Sequence, residues 1–275
     1  MMKEWSGFRK ASGKTIGLVP TMGFLHEGHL SLMRLARNGN DFLAASIFVN
    51  PAQFGRNEDL DSYPRDPETD AEKCMRCGVD ALFMPQPHDI YAANFQTYVD
   101  VEKVSAPLCG SSRPGHFRGV ATVVLKLFNI VQPTAAYFGK KDYQQLQVIK
   151  TMVRDLNLSV EIVPGPTVRE NDGLAMSSRN SYLSADERKQ AVCLYEALEI
   201  ADSLFRSGET DPGNYLTAMR ERIKRESAAR IDYVELVHPN TLERLDRVDS
   251  SGALAIMAVR IGNTRLIDNK VLGTD

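Results

Sequence analysis

Strand and helix signals alternate along the first 165 residues, and this alternation leaves the chain few possible folds. Short apolar runs predict strands, and longer segments with apolar residues at helical spacing predict helices. The predicted strands are 14–19, 42–49, 81–84, 136–138 and 160–163, and the predicted helices are 30–37, 67–77, 120–131 and 143–156. This order is typical of an α/β fold, a Rossmann-like parallel sheet with helices on both faces.

The pattern changes after about Val168. Ser184 begins a capping box ahead of a long helix, and Asp211-Pro212 begins another helix. Three apolar strands are then predicted at 231–237, 253–259 and 264–267. The C-terminal part therefore reads as a smaller α+β domain.

We predict two domains, residues 1–167 with the parallel sheet and residues 168–275 as a C-terminal helix-plus-sheet lid. The chain is long enough to bury a core in each. The Pro164-Gly165-Pro166 run between them is typical of a hinge.

Polar clusters follow the predicted strands at three places, residues 21–29, 50–53 and 140–145. Because ligands of parallel sheets bind beyond the carboxyl ends of the strands, we expect these clusters to line one crevice. The amides of Asn50 and Gln53 suit the hydroxyl and carboxylate groups of a small polar molecule.

Two histidines stand where the first strand gives way to a helix. Helix starts attract phosphate groups, and Gly23 and Gly28 allow a ligand close to the backbone. His26 and His29, three residues apart, fall on one side of the first turn, where both rings can stabilise a phosphoryl group. The alternative is that both histidines only cap the helix.

Three further loops carry groups that suit anions. Lys140 and Lys141 precede a predicted helix, where cations oppose the helix dipole unless an anion is bound. The run Met176-Ser177-Ser178-Arg179-Asn180 offers hydroxyls and a guanidinium for phosphates. Residues 110–119 form a glycine-rich loop whose arginines and histidine suit a carboxylate. Each of these is also compatible with an ordinary surface turn.

Composition excludes several classes of protein. A net charge of −2 and a pI near 6.2, with scattered lysines and arginines, argue against a nucleic-acid partner. No apolar run reaches the roughly 18 residues that span a bilayer. The N-terminus lacks a hydrophobic signal core, so we expect a cytoplasmic protein. The acidic segment from Glu58 to Asp70 is typical of a solvated face. Nucleotide-bound Mg2+ needs only one or two carboxylates, and spacing does not choose between these acids, of which Asp70 is the candidate ligand.

Six motifs occur in order along nearly the whole chain: 20–29 (PTMGFLHEGH), 48–54 (FVNPAQF), 113–117 (RPGHF), 138–145 (FGKKDYQQ), 172–180 (DGLAMSSRN) and 264–269 (TRLIDN). Together they closely resemble the pantoate–β-alanine ligase family of the His-x-Gly-His nucleotidyl-transferase superfamily. The resemblance implies ATP-dependent condensation of (R)-pantoate with β-alanine through a pantoyl adenylate, with release of pyrophosphate and AMP. It also implies Mg2+ with ATP, a Rossmann-like domain with a smaller C-terminal domain, and a homodimer.

The resemblance further implies roles for single residues. The catalytic residues would be His26, His29, Lys141 and Arg179. ATP would contact Met22, Gly23, Phe24, Leu25, His26, Glu27, Gly28, His29, Gly139, Lys140, Lys141, Asp142, Val168, Met176, Ser177, Ser178 and Arg179. Pantoate would contact Gln53 and Gln145, and β-alanine would contact Gln53, Arg113 and His116.

The chain departs from the family pattern at Lys140, where relatives usually carry glutamate, and ahead of Lys14, where the N-terminal strand and helix look shortened. Two other functions stay open at this point. One is a nucleotidyl transferase of the same superfamily, similar to phosphopantetheine adenylyltransferase, which would need no β-alanine. The other is a nucleotide-binding regulator without turnover.

Overall fold

A computed structural model describes residues 2–56, 58–250 and 252–273. The chain forms two compact units. The first comprises Met1–Lys140 and Gln144–Thr167, and the second comprises Lys141–Tyr143 and Val168–Asp275.

A parallel sheet forms the centre of the first unit. Within the described residues it has five strands: β1 (Ile16–Thr21), β2 (Phe42–Ile47), β3 (Ala81–Phe83), β4 (Ala135–Gly139) and β5 (Glu161–Gly165). Their order is β3-β2-β1-β4-β5, so the direction of winding reverses between β1 and β4. In such sheets ligands bind beyond the carboxyl ends of the two strands at this switch point. The predicted α/β class and parallel sheet are confirmed.

Helix α1 (Met2–Ala11) precedes β1. The strands are connected by α2 (Glu27–Gly39), α3 (Pro67–Arg76), α4 (Pro87–Ile90), α5 (Glu102–Ser105), α6 (Cys109–Ser112), α7 (His116–Val131) and α8 (Tyr143–Asp155). In the described part of the chain, every helix is too short or too polar to cross a bilayer. One buried core cluster of the unit packs α2 against the sheet through Met33 and Ala36, both fully buried.

Two predictions about this unit were wrong. The expected loop 110–119 contains α6 and the start of α7, because Gly115 adopts φ +82° and lets the chain turn between the two helices. Pro164 and Gly165 form the end of β5 rather than a hinge. Proline is tolerated there because β5 is an edge strand, and a Cβ on Gly165 would lie 2.1 Å from a methyl carbon of Leu32.

The second unit is built from helices and an antiparallel sheet. Its helices are α9 (Ala185–Gln190), α10 (Cys193–Arg206) and α11 (Pro212–Lys224). Its sheet, in the described residues, consists of β6 (Ala229–Val237), β7 (Ala253–Ile261) and β8 (Thr264–Leu272), with β7 in the centre. The predicted capping box exists, since Ser184 Oγ accepts from the Glu187 N–H and the Glu187 carboxylate accepts from the Ser184 N–H.

Candidate active site

The loop between β1 and α2 has an unusual backbone. Gly23 has φ +85° and Phe24 has φ +49°, a region that residues with a Cβ seldom adopt. A Cβ on Gly23 would also lie 3.0 Å from a carboxylate oxygen of Asp70. The loop therefore requires glycine at this position and support from outside its own segment.

Two residues of α3 supply that support, and we call them the α3 clamp: Asp70 and Lys73. The Asp70 carboxylate accepts hydrogen bonds from the backbone N–H groups of Phe24 and Leu25, each at 2.7 Å. Lys73 Nζ donates to the Leu25 carbonyl, also at 2.7 Å. Because hydrogen bonds to ionised groups are about twice as strong as neutral ones, the clamp fixes the backbone just ahead of the histidines.

These contacts bear on Asp70 as the predicted magnesium ligand. Asp70 is 1% exposed, unlike the solvated face predicted for its segment, and both its oxygens accept backbone hydrogen bonds. Across residues 2–56, 58–250 and 252–273, no cluster of three histidine, cysteine or acidic side chains could hold a metal ion. With Asp70 as the single candidate carboxylate, the described residues fit a magnesium ion that takes most of its ligands from phosphate and water.

His26 and His29 cap α2 with their own rings. His26 Nδ1 accepts from the Gly28 N–H and His29 Nδ1 accepts from the His26 N–H, both at 3.2 Å. The ring centroids are 4.1 Å apart. Because a neutral imidazole that accepts at Nδ1 carries its proton on Nε2, each ring can cap the helix with one nitrogen and donate to a ligand with the other.

Gly28 allows the His26 ring to fold back onto the helix start, where a Cβ would lie 2.9 Å from His26 Cε1. The Gly28 N–H donates to that ring, and the His29 N–H donates to the His26 carbonyl. Two of the backbone donors that a helix start offers to phosphate are thus used locally. On the exposed side, Glu27 pairs with Arg34.

The 50–53 turn meets the β1–α2 loop, as the sheet topology predicts. Gln53 Nε2 donates to Met22 Sδ at 3.2 Å, and Gln53 Oε1 accepts from Asn50 Nδ2 at 3.0 Å. Tyr91, at the end of α4, donates its hydroxyl proton to Asn50 Oδ1 at 2.8 Å. The sequence analysis missed Tyr91, because no local pattern connects residues 41 positions apart.

Arg113 and His116 hold the backbone of Gln53. His116 Nδ1 lies 2.8 Å, and an Arg113 guanidinium nitrogen 3.4 Å, from the Gln53 carbonyl oxygen. Arg113 also forms a bidentate ion pair with Glu58. Burial alone would raise the pKa of the Glu58 carboxyl, but the hydrogen bonds and charge of Arg113 outweigh burial and lower that pKa. A substrate carboxylate at Arg113 would therefore compete with Glu58.

Gln144 and Gln145 lie side by side in the first turn of α8. Gln144 is buried; its Oε1 accepts from the Cys109 N–H at 3.0 Å, and its Nε2 donates to the carbonyls of Val104 and Pro107. Gln145, the predicted pantoate contact, is half-buried. Gln144 therefore serves the fold, and the sequence reasoning selected its more accessible neighbour.

In the second unit, Lys141 is held by the C-terminal strand. It lies in a 3₁₀ turn directly after β4, and Asn269 Nδ2 in β8 donates to the Lys141 carbonyl at 2.7 Å. The preceding residue, Asp268, is 1% exposed and forms a bidentate ion pair with Arg169 at 2.6 and 3.0 Å. Two residues of the 264–269 motif thus fix two segments that carry predicted ATP contacts.

Apart from Asp142, which shares the 3₁₀ turn of Lys141, the other predicted ATP contacts of this unit lie in one well-defined loop. The Val168 carbonyl accepts from the Met176 N–H at 3.0 Å. Ser177 caps the 3₁₀ turn Ser178–Tyr182, with its Oγ accepting from the Arg179 N–H at 3.3 Å. Backbone and side-chain hydrogen bonds therefore define the conformation that presents the hydroxyls and the guanidinium.

The switch-point sheet, the paired imidazoles at a helix start and the cationic loops define the class of the protein as an α/β enzyme that handles a nucleotide. Comparison with known proteins narrows this class. The sequence profile of the pantoate-beta-alanine ligase family matches residues 1–271. The chain belongs to this family.

Individual relatives agree with this assignment over nearly their whole length. The pantothenate synthetase of Caldicellulosiruptor bescii is 55% identical over 271 residues, which is 98% of this chain and 96% of the relative. The crystal structure of pantothenate synthetase from Thermus thermophilus superposes with a TM-score of 0.91 at 50% identity, covering 94% of this chain and 93% of that chain. The ligase from Francisella tularensis, solved with a β,γ-ATP ligand and β-alanine, gives a TM-score of 0.81 at 34% identity, covering 100% and 97%.

Proposed function

We propose that this chain condenses pantoate with β-alanine at the expense of ATP, forming pantothenate, AMP and pyrophosphate. The observation that carries the proposal is the match to the pantoate–β-alanine ligase family along essentially the entire chain. The geometry of both units is compatible with the two chemical steps that this reaction requires.

The first step activates the acid. A free carboxylate repels nucleophiles, so a carboxylate oxygen of pantoate attacks the α-phosphorus of ATP, the bond to the bridging oxygen breaks, and pyrophosphate leaves. In the second step the β-alanine amine attacks the acyl carbon, AMP leaves with the electron pair, and the amine loses a proton. Positioning and charge stabilisation dominate such phosphorus chemistry, and the mixed anhydride needs shelter from water.

In the first unit, we assign the phosphoryl group to His26 and His29. Their Nδ1 atoms cap α2, so each neutral ring has an Nε2–H to donate to a phosphoryl oxygen as negative charge develops there. Pantoate is assigned to Gln53 and Gln145, and the β1–α2 loop, held by the α3 clamp, to the rest of the nucleotide.

In the second unit, we assign Lys141 and Arg179 to the outer phosphates, since a guanidinium and an ammonium suit bidentate and point-charge contacts with phosphate oxygens. The ordered loop between Val168 and Arg179 and the segment held by Asn269 supply the remaining nucleotide contacts. We assign β-alanine to Gln53, Arg113 and His116, where its carboxylate would share Arg113 with Glu58.

Three further properties belong to the proposal. Asp70 is the candidate carboxylate for a Mg2+ ion bound to ATP, which would neutralise phosphate charge. The enzyme acts in the cytoplasm, and the family resemblance implies that it is a homodimer. Lys140 replaces a family carboxylate with a cation, which we expect to alter nucleotide affinity.

The test is pantoate-dependent exchange of labelled pyrophosphate into ATP, together with β-alanine-dependent AMP release. His29→Ala should lower exchange by about 100-fold or more, the cost of removing one donor to a developing oxyanion. His88→Ala, on the exposed helix α4, is the matched control and should retain wild-type exchange. Exchange without pantoate, or AMP release that needs no β-alanine, would contradict the proposal.

A further inference from the structure

A chain of hydrogen bonds runs from Tyr91 to the candidate substrate site, and every donor in it points the same way. The Tyr91 hydroxyl donates to Asn50 Oδ1 at 2.8 Å, and Asn50 Nδ2 donates to Gln53 Oε1 at 3.0 Å. Asn50 is 1% exposed and Gln53 is 8% exposed. The polarity of this chain decides which end of the Gln53 amide a substrate meets.

The orientation of Asn50 is fixed by four partners. Its Oδ1 also accepts from the Ala52 N–H at 3.3 Å, and its Nδ2 also donates to the Gly119 carbonyl at 3.1 Å. The bond from Tyr91 is the shortest of the four. A flipped Asn50 amide would place donor against donor at Ala52 and acceptor against acceptor at Gly119, which is costly in a buried site.

The orientation of the Asn50 amide fixes that of the Gln53 amide. Its oxygen is occupied by Asn50, and its nitrogen donates one hydrogen bond, to the weakly accepting sulfur of Met22. Among the residues that the structure describes, the second N–H of Gln53 has no acceptor. The amide therefore offers a free N–H donor to a ligand.

We propose that Tyr91 is a positioning residue which, through Asn50, holds the Gln53 amide with its N–H toward substrate, so that this point donates to an oxygen acceptor of the substrate. The inference rests on the proposed function, which supplies pantoate and β-alanine as ligands. Gln53 then donates to carboxylate or hydroxyl oxygens of either substrate.

The surroundings of Tyr91 keep its hydroxyl group protonated, so that it stays a hydrogen-bond donor. Its ring packs edge-on against Phe95, with centroids 5.1 Å apart, and 6.4 Å from Phe48. Burial raises the pKa of Tyr91 to about 12. The hydroxyl thus keeps its proton throughout the range in which the enzyme works.

The test is steady-state kinetics of Tyr91→Phe with each substrate varied in turn. Loss of one neutral hydrogen bond should raise the KM for pantoate about fivefold, with the KM for ATP unchanged. Tyr98→Phe is the matched control, because Tyr98 belongs to the same aromatic cluster but stacks on Arg118 at the surface. It should leave both constants unchanged.

A second variant separates positioning from structural support. Asn50→Asp keeps the acceptor for Tyr91 but removes the donor to Gln53, so the KM for pantoate should rise more than in Tyr91→Phe. Because the chain is already broken there, adding Tyr91→Phe to Asn50→Asp should have little further effect. If Tyr91→Phe does not fold, an unchanged KM for pantoate in Asn50→Asp would overturn the inference, because the proposed chain needs the Asn50–Gln53 link.

Each outcome has a distinct meaning. Unchanged pantoate KM in Tyr91→Phe, equal rises for pantoate and ATP, or additive effects in the double variant would overturn the inference while leaving the ligase assignment intact. A wild-type enzyme that does not use pantoate would instead overturn the proposed function.

Discussion

Replacing Asp70 with asparagine tests whether the α3 clamp organises the nucleotide loop. Asparagine keeps one acceptor for the two N–H groups of Phe24 and Leu25 and turns an N–H2 group toward the other. The loss of one charge-assisted hydrogen bond costs about 1.5–3 kcal/mol. If the clamp serves to hold the loop ready for ATP, kcat/KM for ATP should fall by about 10- to 150-fold. AMP release at saturating pantoate and β-alanine measures this change.

A control variant and a test of the rival explanation, in which Asp70 is a metal ligand, are both available. Glu72→Gln removes the same charge from an exposed position of α3, two residues away, and should leave kcat/KM unchanged. Lys73→Met removes the Leu25 carbonyl contact and should lower kcat/KM in the same direction as Asp70→Asn. If Asp70→Asn retains wild-type kcat/KM, or if excess Mg2+ restores it, the clamp argument fails, and in the second case Asp70 acts as a metal ligand.

Three other substitutions or conditions give separate tests. Gly28→Ala should lower kcat/KM for ATP by at least about tenfold without lowering the melting temperature, because alanine favours the helix while its Cβ displaces the capping ring. Asn269→Ala should raise the KM for ATP about fivefold by releasing the Lys141 carbonyl, with unchanged KM values for the other substrates. The lowered pKa of Glu58 means that its pairing with Arg113 stabilises the first unit above pH ~4.5 and that this contribution is lost as pH falls through the lower pKa of the folded state. Wild-type protein should therefore exceed Glu58→Gln in unfolding free energy near neutral pH, with the difference vanishing in acid. The fluorescence of the single tryptophan, in α1, reports this unfolding.

The fold was predictable because its signals are local and repeated. Strands such as Ile16–Thr21 are short apolar runs, and helices such as Glu27–Gly39 keep helical spacing over several turns. The short helices α4 to α6 were not predicted, because partners distant in sequence hold part of that region. Gln144, for example, accepts from the Cys109 N–H, 35 residues away. Pro164 was predicted to lie in a hinge because only the sheet order reveals that its strand is an edge strand.

Candidate site residues were predictable where the groups that point to a ligand lie together in one segment of the sequence. The histidine pair and the amides of Asn50 and Gln53 follow strand ends, so topology alone brings Gln53 to Met22. Supporting residues were not predictable in this way. Asp70 contacts Leu25 across 45 positions, and its neighbours in sequence are ordinary helical acids. A buried carboxylate can be recognised as the support of a distant loop only when the fold shows which backbone groups it contacts.

The helix cap constrains the chemistry of the histidines. An imidazolium has two N–H donors and no acceptor. His26 Nδ1 accepts a hydrogen bond from the Gly28 N–H, so protonation of His26 would place two donors against each other. The same argument applies to His29 and the His26 N–H. In this capped conformation both rings accept at Nδ1, so under the proposed function they would act on phosphate as hydrogen-bond donors through Nε2 rather than as cations. Under the proposed function, the positive charge required as pyrophosphate departs is therefore assigned to Lys141, Arg179 and the metal that would accompany ATP.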